Sequence, residues 1–299
     1  MFEKCSRFHI DKIADRIAGA MVDLAYANQE NPKVAVEVLI GHKHCHIIAE
    51  SSYDFAFDDV RKIVDRIAGE QFELDLQVVP QDKYLAENQK ITINCGDNGI
   101  FKAVKTSEEE RILSQFAKYL DKRIIESDGK YLIDKDHITI CQSGINNDDL
   151  IDVVEEYFRD YDYMFTINPL GDWNNDLNND TGVTGRKIGS DLGRGATGGA
   201  ICGKDLTKSD VSVNILLNLI LNKPNTLRMI CPLDDIDTLN DILKATENKD
   251  TIECTCSIGD NSVNICGVYA SFSKIVSIVK QYITICVGGF EKLAEWGLI

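Results

Sequence analysis

Between Asn168 and Asp210 the chain concentrates residues able to hold a polyphosphate. The stretch contains Asp180, then Thr184-Gly185-Arg186-Lys187, then a glycine cluster (Gly193, Gly195, Gly198, Gly199, Gly203), and finally Lys204, Asp205, Lys208 and Asp210. Glycine carries no Cβ and opens the left-handed region of φ, so backbone amides can approach an anion closely. Arginine and lysine beside such a backbone supply compensating charge, and Asp180 and Asp210 could hold Mg²⁺ or a substrate ammonium. One familiar phosphate loop is excluded. Gly198 to Asp205 has the spacing GxxxxGK[ST], but Asp205 stands where a Mg²⁺-binding hydroxyl is required, and the preceding SDLGRGAT is too polar for a buried strand. By itself the stretch reads as a solvated glycine-rich loop; the N-terminus changes that reading.

The N-terminus runs Phe8-His9-Ile10-Asp11-Lys12-Ile13-Ala14-Asp15. Taken with TGRKI (184–188), GGAICGKD (198–205) and Asp128-Gly129-Lys130, it resembles the S-adenosylmethionine synthetase (methionine adenosyltransferase) family. That family opens on HPDKIAD, and Ile10 here replaces the proline. The matches follow the family's order from His9 to Asp210. The resemblance implies an α+β fold: three similar units of antiparallel β-sheet covered by helices around a pseudo-threefold axis. It implies that S-adenosylmethionine is formed from ATP and L-methionine, the thioether sulfur attacking C5′ as tripolyphosphate leaves. The tripolyphosphate would then be hydrolysed to pyrophosphate and phosphate. A thioether has no proton to lose, so catalysis would be electrostatic and positional.

Carried over by motif, His9, Lys130, Arg186, Lys187 and Lys204 would hold the triphosphate. Asp11 and Asp210 would ligate Mg²⁺, and Glu37 would stand at the K⁺ position. Glu50, Asp97, Asp128, Trp173, Asp180, Ala200 and Lys208 would contact methionine or nucleotide. The family shares its site between two subunits, so a homodimer or dimer of dimers is expected. Two departures stand out. Asp172-Trp173 replaces an Arg-Phe pair, reversing a charge that should face phosphate. The region of the gating loop, from Pro80 to Gln89, is short, with Gln81 or Gln89 as stand-ins for the loop glutamine. The chain reads as a pared-down member, and two other readings stay open: a polyphosphate- or nucleotide-hydrolysing relative, and a regulatory subunit of a full-length synthetase.

These residues need elements to position them. Ile13, Ile17, Met21 and Leu24 recur at helical spacing and predict a helix over 11–27. His9 and Asp11 then sit at its N-terminal mouth, where amides and dipole favour anions. A strand is predicted over 34–40, with Glu37 inside an apolar run, where a carboxylate must be paired, bind a cation or reach solvent. His42, His44 and His46 alternate and predict one exposed strand face rather than a Zn²⁺ site. Glu50 follows Glu37 by 13 residues, the separation of the family's methionine-contacting glutamate. Cys95-Gly96-Asp97-Asn98-Gly99 is turn chemistry, and Asp128-Gly129-Lys130 by itself is a hairpin turn.

Further helices are predicted at 58–68, from Ser107, at 148–159, from Asp210 through Ile220, at 236–245 and at 272–282. Strands are predicted at 72–79, 130–133, 137–141, 164–167, 228–231, 251–258 and 262–268. Helices thus alternate with pairs of strands, an α+β rhythm divided at 1–100, 101–170 and 171–299. The runs Ile215-Leu216-Leu217 and Val34–Ile40 are too apolar for both to face water, which points to association.

The chain has 32 basic and 48 acidic side chains, a net charge of −16, which argues against nucleic acid or an anionic membrane as partner. Ten cysteines include no CxxC and sit in apolar runs, as reduced thiols of a cytoplasmic protein would. Cys254 and Cys256 share a strand face and read as buried thiols rather than metal ligands. No apolar run approaches the ~20 residues that span a bilayer.

Overall fold

The computed structural model describes residues 1–81, 99–174, 177–197, 199–256 and 261–299. Asp97, Gln89 and Gly198 lie outside the described residues, as does most of the expected gating-loop region.

The chain falls into three successive segments. The first runs β1 (Phe2–Cys5), α1 (Ile10–Asn28), β2 (Val34–Gly41), β3 (His44–Ser51), α2 (Phe57–Ala68) and β4 (Glu73–Val79). The second repeats that order as β5 (Ile100–Val104), α3 (Glu108–Asp121), β6 (Gly129–Asp134), β7 (His137–Gln142), α4 (Asn147–Tyr157) and β8 (Met164–Ile167). The third opens on β9 (Thr181–Val183) and passes through α5 (Ile188–Leu192), α6 (Ser209–Asn222), α7 (Pro224–Ile230) and α8 (Ile236–Ala245). It ends with β10 (Thr251–Cys256), β11 (Ser262–Ile265), β12 (Val268–Ser271), α9 (Phe272–Gln281) and α10 (Phe290–Trp296).

The described strands form three four-stranded sheets, and the leading strand of each segment pairs outside its own. β1 joins β6 of the second segment, β5 joins β10 of the third, and β9 joins β2 of the first. Membership is cyclic, so each sheet draws strands from two of the segments expected at 1–100, 101–170 and 171–299. The architecture is α+β with antiparallel-rich sheets. Two sheets nevertheless end in a parallel pair, β3–β4 and β7–β8, because a helix carries the chain back across the sheet.

Central helix α6 is buried from Ser209 to Leu221, with Asn214 and Asn218 each donating to the backbone carbonyl four residues back. Ile215, Leu216 and Leu217 are 0% exposed, so this run is covered within one chain and is not what calls for a partner. Val34, Val36, Val38 and Ile40 of β2 likewise point into the core. Each such side chain contributes about 1.5–3 kcal/mol of apolar burial. The expected strand at 228–231 is instead the end of helix α7, which Pro224 starts at its first turn, where a missing N–H costs nothing. His42 is also displaced from its expected place. It and Lys43 form the β2–β3 turn with φ of 48° and 66°, leaving His44 and His46 on the exposed face opposite Glu73 and Asp75.

Candidate active site

Helix α1 begins directly over β9. His9 is its N-cap, and its Nδ1 accepts from the Asp11 amide at 3.2 Å, which leaves the ring proton on Nε2. Burial and then the charge of Lys187 lower the imidazole to about 4, so His9 offers a neutral N–H donor rather than a cation. Asp11 is 2% exposed. Its Oδ1 accepts from Val183 N at 2.9 Å and lies 3.4 Å from Arg186 Nη1, while Oδ2 lies 3.3 Å from Lys187 Nζ. Lys130, at the start of β6, and Asp180 both act electrostatically on the His9 ring. Glycine makes this crossing possible: a Cβ at Gly182 would stand 2.3 Å from the Ile10 carbonyl oxygen.

One layer deeper lies a set of charges that sequence reasoning did not assign. Lys12 is fully enclosed, with its Nζ 2.6 Å from Asp191 Oδ1 and 3.3 Å from Asp15 Oδ2. Burial alone would lower its pKa, but the two carboxylates outweigh that and raise it. Burial pushes the Asp15 carboxyl up to about 7, against the opposing pull of Lys12. Asp15 Oδ1 also accepts from Gly185 N at 2.8 Å, tying the TGRK loop to α1. Asp15, Asp191 and Cys202 place their ligand atoms within 4.8 Å of one another, but the Lys12 ammonium fills that position in place of a metal. The available signal was Lys12 and Asp15 breaking the apolar face of α1. Asp191 is 179 residues away and gave none.

The second half of the site lies along the same edge of β2. Val38 exchanges hydrogen bonds with Thr184, and two residues back Val36 N donates to Gly203 O at 2.6 Å. The two segments therefore lie roughly 7 Å apart on one strand. Lys204 bridges Ala35, and its Nζ lies 2.6 Å from Asp210 Oδ2. Asp210 Oδ1 is buried and has no hydrogen-bond partner among the described residues. Gly199, at φ 53°, lies against this aspartate, where a Cβ would fall 1.9 Å from the Asp210 Cβ. Ala200 meets Gly185, where an added Cβ would be 2.9 Å from its methyl, so the two halves are contiguous. Asp205 accepts from Val34 N and Thr207 N, both at 2.8 Å, and so serves as a structural hook. Lys208, four residues after Lys204, does not share a helix with it. Lys204 is in extended pairing, Asp205 turns the chain, and Lys208 is the N-cap of α6.

Asp128 joins the first half. Lys130, Asp180 and Lys187 act on it, burial pushes its carboxyl up to about 7, and its Oδ1 is buried without a partner among the described residues. Gln142 Nε2 donates to Asp128 O, Asn168 Nδ2 to Gln142 O, and Trp173 Nε1 to Asn168 Oδ1, tying Trp173 to the Asp128 loop. Asp172 accepts from Asn147 N at 2.9 Å, at the start of α4. Its reversed charge thus sits where a helix dipole favours it rather than facing a phosphate. Glu50 is half-buried on β3 in register with Ala35, and Glu37 is exposed on the same outer face, accepting from Thr184 Oγ1.

The arrangement is a cation-rich, carboxylate-anchored pocket edge on a three-sheet α+β body, suited to a polyphosphate. No protein-family model matches the chain. It is 28% identical over 265 residues to S-adenosylmethionine synthase of Mycoplasma capricolum, covering 70% of this chain and 68% of that one. It is 29% identical over 268 residues to the same enzyme of Mesoplasma florum, with 70% of each covered. An unusual S-adenosylmethionine synthetase from Campylobacter jejuni has the same fold, with a TM-score of 0.70 at 18% identity, covering 100% of this chain and 95% of that one. The chain is thus similar in sequence to S-adenosylmethionine synthases and shares the fold of one of them.

Proposed function

We propose that the protein forms S-adenosylmethionine from ATP and L-methionine, releasing tripolyphosphate that the same cluster hydrolyses to pyrophosphate and phosphate. The observation that carries this reading is the convergence of His9, Asp11, Lys130, Arg186 and Lys187 beside Lys204 and Asp210 along one edge of β2. The cations would hold the triphosphate and stabilise the charge that concentrates on it as the C5′ bond breaks. His9 would donate its Nε2–H to the same group. Trp173 would offer a face to the adenine, with Asp128 and Asp180 near the ribose or methionine ammonium, with Glu50 in register with Ala35, which Lys204 bridges, and with Lys208 at the start of α6.

The donor set suits Mg²⁺ at Asp210, whose buried Oδ1 lacks any other partner, with Asp11 as the second carboxylate. Mg²⁺ would neutralise phosphate oxygens when bound. Glu37, exposed and held by Thr184, would be the K⁺ contact. A homodimer fits this reading, because the outer face of β2 and β3 leaves Leu39 43% and Ile48 51% exposed beside Glu37 and Glu50. The test is to incubate pure protein with ATP, methionine, Mg²⁺ and K⁺ and to measure S-adenosylmethionine by mass spectrometry. ATP consumption at an unchanged rate without methionine, and no sulfonium product, would replace it with a hydrolase.

A further inference from the structure

We propose that the cavity between α3 and the end of α6 binds a compact phosphomonoester. The cavity holds about 410 Å³ and shares no residue with the site along β2. Helix α3 presents Arg111, Ser114 and Lys118 on one face, and Lys223 closes the opposite side just after α6. In a chain of net charge −16, no acidic side chain lines this cavity. Lys118 donates to Ile299 O at 3.1 Å, whereas Lys223 donates to the neutral Tyr282 Oη at 3.3 Å, and no acidic side chain of the lining answers Arg111 or Lys223. Burial, then repulsion from Lys223, lower the pKa of Lys118. Arg111 and Lys223 thus line the cavity without an acidic side chain, a charge balance that an anion would complete.

An independent observation points to the same ligand. Ser114 is 2% exposed, lines the cavity, and its Oγ has no hydrogen-bond partner among the described residues. A buried hydroxyl without a partner is costly, and a phosphate oxygen would satisfy it. The guanidinium fork of Arg111 with two ammonium groups suits phosphate geometry. Leu221 and Leu298 make the remaining wall apolar, and the volume exceeds that of a bare phosphate, so the ester should carry a small apolar body.

Calorimetric titration of the whole protein with phenyl phosphate, inorganic phosphate and phenol tests this. Phenyl phosphate should bind, inorganic phosphate more weakly, and phenol not at all. Lys118→Met and Ser114→Ala should each weaken phenyl phosphate about tenfold. Lys204→Met should leave this binding unchanged, which separates the cavity from the β2 site. If Lys118→Met does not fold, Lys223→Met, on an exposed side chain, gives the same reading. Equal affinity for phosphate and phenyl phosphate, or an isotherm unmoved by the cavity substitutions, overturns the proposal.

Discussion

The two ends of the β2 edge differ in how completely the chain satisfies its own charges. At the mouth of α1 Asp11 is answered by Val183 N, Arg186 and Lys187, and beneath it Asp15 and Asp191 by Lys12, while the neighbouring Asp128 keeps an oxygen without a partner among the described residues. At the α6 end Asp210 meets Lys204 with one oxygen, and its other oxygen meets no partner among the described residues. The buried Lys12, Asp15 and Asp191 set is complete without ligand and acts as a frame. The α6 end is finished only by what binds. Rigidity and incompleteness are thus placed on neighbouring segments of one strand edge, which is a way to preorganise a polyanion site while leaving room for its counter-ion.

The largest test of this contrast is Lys12→Met. It leaves Asp15 and Asp191 enclosed without a counter-charge, and urea unfolding should show a loss of about 3–5 kcal/mol. Lys204→Met should cost far less stability but lower turnover about a hundredfold. Comparable unfolding losses in the two variants would erase the distinction between frame and ligand site. Next come the carboxylates. Asp11→Asn and Asp210→Asn should each lower turnover about 10²–10³-fold. Asp11→Asn should also lower the melting temperature more, since it removes a partner from both Arg186 and Lys187, whereas Asp210→Asn removes one from Lys204 alone. An equal melting shift for Asp210→Asn would mean that its open oxygen is not open in solution.

A smaller effect lies in pH. Asp128 has a folded-state pKa of about 7 against an ordinary value of 3.8, so the folded state holds the extra proton between those limits. Its contribution is present below pH 3.8 and is lost as pH rises through about 7. Asp128→Asn should flatten stability over that window, and an unchanged slope would assign it to other groups. Smallest of all, Asp172→Ala should cost about 0.5–1 kcal/mol through the α4 N-terminus. It should leave KM for ATP where it was; a raised KM would return Asp172 to the nucleotide.

The periodic elements were legible because their signals are local. Ile13, Ile17 and Met21 mark α1, the Ser107 capping box marks α3, and alternation marks β2 and β4. The strands that carry the topology were not. β1, β5 and β9 are short edge strands whose partners lie in another segment, so nothing nearby in sequence announces them. At 228–231 an apolar run outweighed Pro224, which marks a helix start. At the site, the candidate residues came from motifs, whereas the place of Lys208 was not legible because Asp205 turns the chain between it and Lys204. The buried Lys12, Asp15 and Asp191 set was missed because its members meet only in the folded chain.

The cyclic placement of β1, β5 and β9 has a consequence for synthesis. A nascent chain that has emerged only as far as β4 carries the strand edge on which the site will be built, but Thr181–Val183 and Gly203–Asp205, which must cover it, are still unmade. That edge is unpaired backbone until they arrive, open to wrong pairing with any neighbouring strand. Translation arrested before Thr181 would therefore release a chain lacking both segments of the candidate site and the cover of this edge. For this architecture, completion of the active site and protection from aggregation are the same event on the ribosome.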